Sequence, residues 1–478
     1  MEERKGFGSN FGFLMAAIGS AVGLGNIWGF PFKMGISGGF TFLIIYLILA
    51  ALCGFVVMVG ELALGRKTGK GAVAAYQVLS KKFKWVGWLG IISAFLIMSF
   101  YCALGGYCIK YTVLNVGNLF HAGFGSNGLD GKAIFGALMT NQGESVIYGL
   151  IFVALTMIIV MGGIGGGIEK FCSVGMPALF FMLIVVIIRA VTLPGAVEGL
   201  KFMFVPGYAV SAGIVEKAPN FLKVLSTAGG QMFFSLSLGM GAMITYGSYL
   251  DKKQNIEKNA VLIVISDTMI ALMAGLAVLP ASFALGGAGA SMAGPSLLFV
   301  TLQNVFDNMG AVGPIFGILF YLLVVLAAIT SSISLLEVIV THFVDVAKEK
   351  GKGDKRKTYS VVASILIAAL CVLVCLDGLG SNGLWVPFQK TLGVHNFNDC
   401  WLDFFDMISE GILMPLGALL MCLMIGWEIG PKTVEDECNI EGNVLKSSGM
   451  FNICVKVVTP VLMLLILGGQ IYNFFLAH

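Results

Sequence analysis

Two glycine- and serine-rich stretches interrupt an otherwise oily chain, and their residue types suit ligand binding better than helix building. The first is Ile18-Gly19-Ser20-Ala21-Val22-Gly23-Leu24-Gly25-Asn26-Ile27-Trp28-Gly29-Phe30-Pro31-Phe32. The second, in the other half of the chain, is Phe233-Phe234-Ser235-Leu236-Ser237-Leu238-Gly239-Met240-Gly241. Each glycine inside a helix costs about 1 kcal/mol relative to alanine. In hydrocarbon a broken helix leaves backbone N–H and C=O groups unpaired at several kcal/mol each, so a break persists only where it lines a cavity. Taken alone, the first glycine cluster is better explained by close helix packing than by a binding site. Two interrupted segments at corresponding places in two halves point instead to a site that takes ions and a small solute at mid-membrane. Asp267 adds a carboxylate between Ile265 and Met269 in a third apolar run, an expensive placement that is seldom structural. Thr330-Ser331-Ser332 supplies hydroxyls that either coordinate an ion or bond back to their own helix.

The elements that must hold these groups are membrane helices. The chain has 478 residues, 58% hydrophobic and only 12% charged, with a net charge of +3. That composition excludes a soluble globule, and no basic stretch interleaved with aromatics suggests nucleic acid. Ten cysteines without a CxxC pair and only four histidines argue against a metal centre or a disulfide framework. Hydropathy predicts eleven spans, near 11–35, 40–64, 86–116, 145–163, 171–191, 222–249, 259–284, 312–345, 359–377, 402–427 and 451–475. Arg4 and Lys5, the cluster from Arg66 to Lys84, and the cluster from Lys348 to Lys357 fall on one side, which marks the cytoplasm. The N-terminus is then cytoplasmic and the C-terminus outside, in a multi-pass protein of the inner (plasma) membrane. Among the outer loops, 285–311 carries an amphipathic run from Leu297 to Phe306, and 378–400 carries Trp385 and Pro387. Either a gate or a simple cap fits these loops.

With these residues in view, the chain resembles the neurotransmitter:sodium symporters. The resemblance runs through Gly19–Pro31, Glu61-Leu-Ala-Leu-Gly-Arg66, Leu193-Pro194-Gly195, Phe233–Tyr249 and Thr330-Ser331-Ser332, in order and over essentially the whole length. It implies an all-α polytopic membrane protein of LeuT-type fold, a 5+5 inverted repeat with spans one and six broken, forming a single transporter domain over 1–478. Repeat one would cover about 8–191, repeat two about 220–427, and an extra helix about 450–475. It implies a sodium-coupled symporter that imports a hydrophobic or aromatic L-amino acid. Rival readings are a sodium-dependent sensor and a carrier of another zwitterion such as an osmolyte; an enzyme finds no support.

Carried over residue by residue, the resemblance implies a first sodium on Ala21, Asn26, Ser235 and Asp267, and a second on Gly19, Val22, Ala327, Thr330 and Ser331. Relatives resemble one another in an asparagine at position 267, and chloride-dependent ones in a serine where this chain has Ala271. A fixed carboxylate would supply the charge chloride supplies elsewhere, so chloride independence is expected. The substrate carboxylate would meet the N–H groups of Leu24 and Gly25 and the Tyr101 hydroxyl, because a helix N-terminus attracts anions. The ammonium would meet Ala21, Phe234, Ser235 and Ser237. Monoamine carriers resemble this arrangement but place an aspartate where Gly23 stands. Ile97, Tyr101, Phe234, Met240, Ser331, Ser334 and Leu335 would line an apolar side-chain pocket, in which a charged substrate side chain would go unpaired.

The resemblance also implies gates. Asp406 is the acidic half of an outer gate whose arginine partner is missing, since that position is Gly29. Lys33 either substitutes through water or snorkels to the headgroups. Arg4 pairs with Asp345 at the inner gate, with Phe7 and Tyr249 beside it. Gly167 and Pro177 match the motif by which span five unwinds to wet the second sodium site, and Glu61 caps the break of span six. The partners implied are the substrate and the bilayer, with no obligatory protein partner. Two sodium ions, each gaining roughly 2.3 kcal/mol across about 100 mV and about 1.4 from a tenfold gradient, would supply about 7 kcal/mol to uptake.

Overall fold

The computed structural model describes residues 6–215, 217, 219–286, 294–353, 355–387 and 399–475. Among these residues, nine uninterrupted helical runs are long and apolar enough to cross a bilayer. Asn10–Ala21 and Gly25–Ile36 form a tenth span, bent by 47°. Phe221–Ser235 and Ala242–Gly247, joined by non-helical turns over 236–241, form another. The total is the predicted eleven, and the interrupted ones are spans one and six. The other nine are Phe40–Thr68, Val86–Leu119, Gln142–Met161, Ile164–Val191, Ile256–Gly286, Gly310–Glu349, Arg356–Asp377, Trp401–Glu428 and Ser448–Phe475.

Spans three and eight make the most extensive helix pair, and span one runs alongside spans five, seven and eight. Outward faces stay apolar, as lipid requires: Ile158, Val174, Phe181, Ile365 and Ile453 are all more than half exposed. The run Leu297–Asp307 is helical and packs against span eight, with Tyr321 donating to the Leu298 carbonyl at 2.9 Å. Residues 388–398 and the pairing of Arg4 lie outside the described residues.

The largest boundary difference is at the start of span five, expected at 171 and found at Ile164. The glycine-rich 164–169 is not a loop: it forms a wide π turn that opens span five and leads straight into Lys170–Val191. Glycine propensity argued for a break, but packing overrides it. A Cβ at Gly167 would sit 2.0 Å from the Ile159 carbonyl, so the glycines let the end of span four fold onto the start of span five. The helix also continues through Pro177, and the unwinding expected between Gly167 and Pro177 is absent from this conformation.

Candidate functional site

Span one leaves the helix at Val22, whose backbone is extended, and resumes at Leu24–Gly25. The break is held from three sides. Gly23 N–H donates to Asn26 Oδ1 at 3.0 Å, Leu24 N–H donates to the Tyr101 hydroxyl at 2.7 Å, and the Gln231 amide donates to the Gly25 carbonyl at 2.8 Å. Leu24 is thus already satisfied by Tyr101, which corrects the expectation that it is a free donor. Gly25 N–H, in the first turn of the second half, belongs to the group that a helix start leaves without an intrahelical acceptor.

Span six breaks more widely. Ser237, Gly239 and Gly241 all have positive φ, and for a residue with a Cβ, such as Ser237, that is a strained choice that marks function more often than packing. Glu61 of span two accepts from Gly239 N–H at 2.7 Å, the cap expected of it. The freed Ser20 carbonyl accepts from both Ser237 (2.8 Å) and Ser331 (2.9 Å), and the Ser20 hydroxyl donates to Ser334 at 2.7 Å. Spans one, six and eight are therefore tied together through one carbonyl.

Between the breaks lies a small cavity lined by Ala21, Gly23, Gly25, Ile97, Tyr101, Phe234, Ser237, Met240, Ser331 and Leu335. All ten belong to the expected substrate set. Leu24, Ser235 and Ser334 stand behind this lining. A Cβ on Gly23 would come within 2.3 Å of the Tyr101 hydroxyl, and one on Gly25 within 2.7 Å of the Phe234 ring. An aspartate at position 23 has no room here.

Three of the four groups expected at the first sodium position form one cluster. The Asn26 amide donates to Asp267 Oδ1 (2.7 Å) and to Ser235 (3.0 Å), and the Ser235 hydroxyl reaches both Asp267 oxygens at 3.0–3.1 Å. Tyr46, absent from the sequence reading, donates to Asp267 Oδ2 at 3.3 Å. Asp267 is fully buried, and these named donors are all neutral. A buried carboxylate in that setting favours a nearby cation, since an unpaired buried charge costs several kcal/mol. At the second position Thr330 donates to the Ala327 carbonyl at 3.0 Å, and Gly19 allows span one to approach it closely: a Cβ there would sit 3.1 Å from Thr330 Cβ. The Ser331 hydroxyl is committed to Ser20 instead of to Gly19 or Val22.

The pairing found where an outer gate was expected differs from that expectation. Lys33 forms an ion pair with Glu410, a residue the sequence reading passed over, and not with Asp406. A wide π turn over Met407–Leu413 turns Glu410 inward. Where the inner gate was expected, Tyr249 donates to Glu337 at 2.8 Å, and Arg356 grips both Glu337 oxygens at 2.6 and 2.9 Å. Phe7 packs edge-on against Phe13, Tyr246 and Tyr249. Asp345 accepts from Gly71 N–H at 2.8 Å. Glu169 at the head of span five accepts from Gly8 N–H and the Ser9 hydroxyl at 2.8 and 3.0 Å, fastening the segment before span one. Glu337 and Glu410 carried the same signal as Asp267, an acid inside an apolar span. Glu169 and Tyr46 carried none.

Known proteins bear out the resemblance. The model of the sodium:neurotransmitter symporter family matches residues 4–120 and 137–477. An uncharacterized sodium-dependent transporter of Bacillus subtilis, YhdH, is 36% identical over 447 residues, 92% of this chain and 91% of its own length. An uncharacterized sodium-dependent transporter of Haemophilus influenzae is 31% identical over 484 residues, 98% of this chain and 99% of its own. Among solved structures, MhsT in complex with L-phenylalanine superposes with a TM-score of 0.83 at 33% identity, covering 98% of this chain and all of that one. With the two broken spans and the cavity between them already in hand, these matches make the chain a member of the sodium:neurotransmitter symporter family, a transporter of LeuT-type fold and not an enzyme.

Proposed function

We propose that this sodium-dependent symporter imports hydrophobic or aromatic L-amino acids across the inner membrane with two sodium ions and without chloride. The observation that carries the reading is the cavity itself. Its walls are Ile97, Phe234, Met240 and Leu335, its polar groups are hydroxyls and backbone, and no charged side chain lines it. A substrate with a neutral apolar side chain loses nothing on entering, whereas a charged one would be left unpaired. The carboxylate would sit at Gly25 N–H and Tyr101, against the first sodium at Asn26, Ser235, Asp267 and the Ala21 carbonyl. The ammonium would sit at the carbonyls of span six and the Ser237 hydroxyl. Met240, flexible and polarisable, suits more than one side-chain shape. The crowding at Gly23 supports a substrate that brings its own carboxylate, because no acid on the protein can stand in for it. The solved relative's L-phenylalanine complex agrees with that class.

The second sodium would lie among Gly19, Val22, Ala327, Thr330 and Ser331. Transport would follow from repeat one (about 8–191) and repeat two (about 220–427) rocking about this site, with Lys33–Glu410 opening on one face and Tyr249–Glu337–Arg356 on the other. The N-terminus is assigned to the cytoplasm and the C-terminus to the outside. Purified protein in liposomes should accumulate labelled phenylalanine, tryptophan, tyrosine or leucine when sodium is high outside, and should show counterflow. Failure of all four under a sodium gradient would overturn the substrate class. Binding without counterflow would make the protein a sensor.

A further inference from the structure

We propose that the outer gate of this chain has moved: Glu410 positions Lys33 over the Phe234 ring, and this pair, not one at Asp406, closes the cavity toward the outside. Lys33 touches Glu410 directly and lies 5.8 Å from the centroid of Phe234, a ring that lines the cavity. A cation over an aromatic face is attracted to it, so the ammonium joins span ten to the lining of the site. Both partners are largely buried, the side chains being 15% and 9% exposed.

The neighbours of the pair are arranged for it. A larger residue at position 29 would have to displace the Gln231 side chain, because a Cβ at Gly29 would sit 2.9 Å from Gln231 Oε1. That glutamine is needed where it is, since its amide holds the Gly25 carbonyl at 2.8 Å. The cation is therefore supplied by Lys33, one helical turn further out. Span six makes room at Gly230, where a Cβ would come 3.1 Å from Glu410 Oε1 and 2.7 Å from Gln470 Nε2. The wide turn over Met407–Leu413 brings Glu410 to the same spot. Asp406, one turn earlier, feels Glu410 and Lys33 as neighbouring charges but makes no ion pair with Lys33. The shared arrangement of Gly29, Gln231, Lys33, Gly230 and Glu410 fits a relocated latch better than a lysine snorkelling to headgroups.

The proposal rests on the transport reading, and the test separates the two. Full-length protein in lipid nanodiscs is loaded with labelled L-phenylalanine in sodium, and release is timed. Glu410→Gln should speed release by about tenfold, as losing one partner of a buried charge pair acts on the off-rate. Asp406→Asn should have an effect at least about fivefold smaller. Reversing both charges, Lys33→Glu with Glu410→Lys, should release more slowly than either single reversal, which a merely structural role would not produce. The second readout is substrate-free hydrogen exchange over 30–36 and 401–413, which should rise more in Glu410→Gln than in Asp406→Asn. A larger effect of Asp406→Asn in either readout, or no recovery in the double reversal, would overturn the relocated gate. If the unaltered protein retains no phenylalanine, the transport reading fails while the exchange comparison still decides the latch.

Discussion

The two proposed sodium positions flank the same break in span one and are built from opposite chemistry. The first holds a full carboxylate, Asp267, fully buried and served by the amide of Asn26 and the hydroxyls of Ser235 and Tyr46. The named groups of the second are carbonyls and hydroxyls alone, with Thr330 bonded to the Ala327 carbonyl and Ser331 to that of Ser20. A buried charge without a counter-ion is costly, so the first position would hold a cation strongly and tie it to the substrate carboxylate. A site of dipoles holds a cation modestly and gives it up when water arrives. On the proposed reading, coupling would belong to the first position and timed release to the second.

Asp267→Asn breaks this contrast most directly. Removing one member of a buried charge pair costs roughly 3 kcal/mol, about a hundredfold in affinity. Sodium titration of phenylalanine uptake should shift by that order, with substrate binding lost alongside. A shift of less than about threefold would mean that the carboxylate does not serve the ion.

Glu61→Gln acts one step back. The Glu61 carboxylate holds Gly239 N–H in the break of span six, and Ser235 sits at the helix end beside that break. Hydrogen bonds to charged groups contribute about 1.5–3 kcal/mol, so a lower thermal midpoint and faster substrate release are expected. The second sodium position, on span eight, should keep its own affinity. If both sodium dependencies move together, the break of span six governs the whole site and the proposed division is wrong.

Thr330→Val sharpens the comparison from the other side. The change keeps the shape and removes one neutral oxygen, a loss of about 1 kcal/mol or roughly fivefold in the sodium requirement. Substrate affinity at saturating sodium should hold, because Thr330 does not line the cavity. An effect as large as that of Asp267→Asn would erase the distinction between the positions.

How much of this was legible beforehand follows from what each residue signals. The breaks announced themselves because glycine and hydroxyl residues at mid-span contradict both helix propensity and lipid. Asp267 did so because charge in hydrocarbon is conspicuous. The same signal stood at Glu337 and Glu410, but position relative to known gates drew attention to Asp406 instead. The Lys33–Glu410 pair also depends on the π turn over Met407–Leu413, which shifts the helical phase and has no marker in the sequence. Span five was misjudged at its start because local propensity favoured a loop where packing at Gly167 favours a close helical turn. Tyr46 and Glu169 were invisible, since a tyrosine in an apolar run and an acid at a span end are ordinary.

The smallest expected effect is the most discriminating of the charge argument. Replacing chloride by gluconate should leave uptake within about twofold, because the negative charge near the first sodium is already covalent. Ala271, one turn beyond Asp267, is buried and offers no hydroxyl to an anion. The three named donors that an added anion would need are already committed to Asp267. A second anion there would face the carboxylate at close range with no cation to spare beyond the sodium itself, and like charges so placed repel strongly in a low dielectric. A loss of uptake beyond about fivefold in gluconate would therefore require Asp267 to carry a proton during binding, and the difference between the two sodium positions would shrink to one of hydroxyl number.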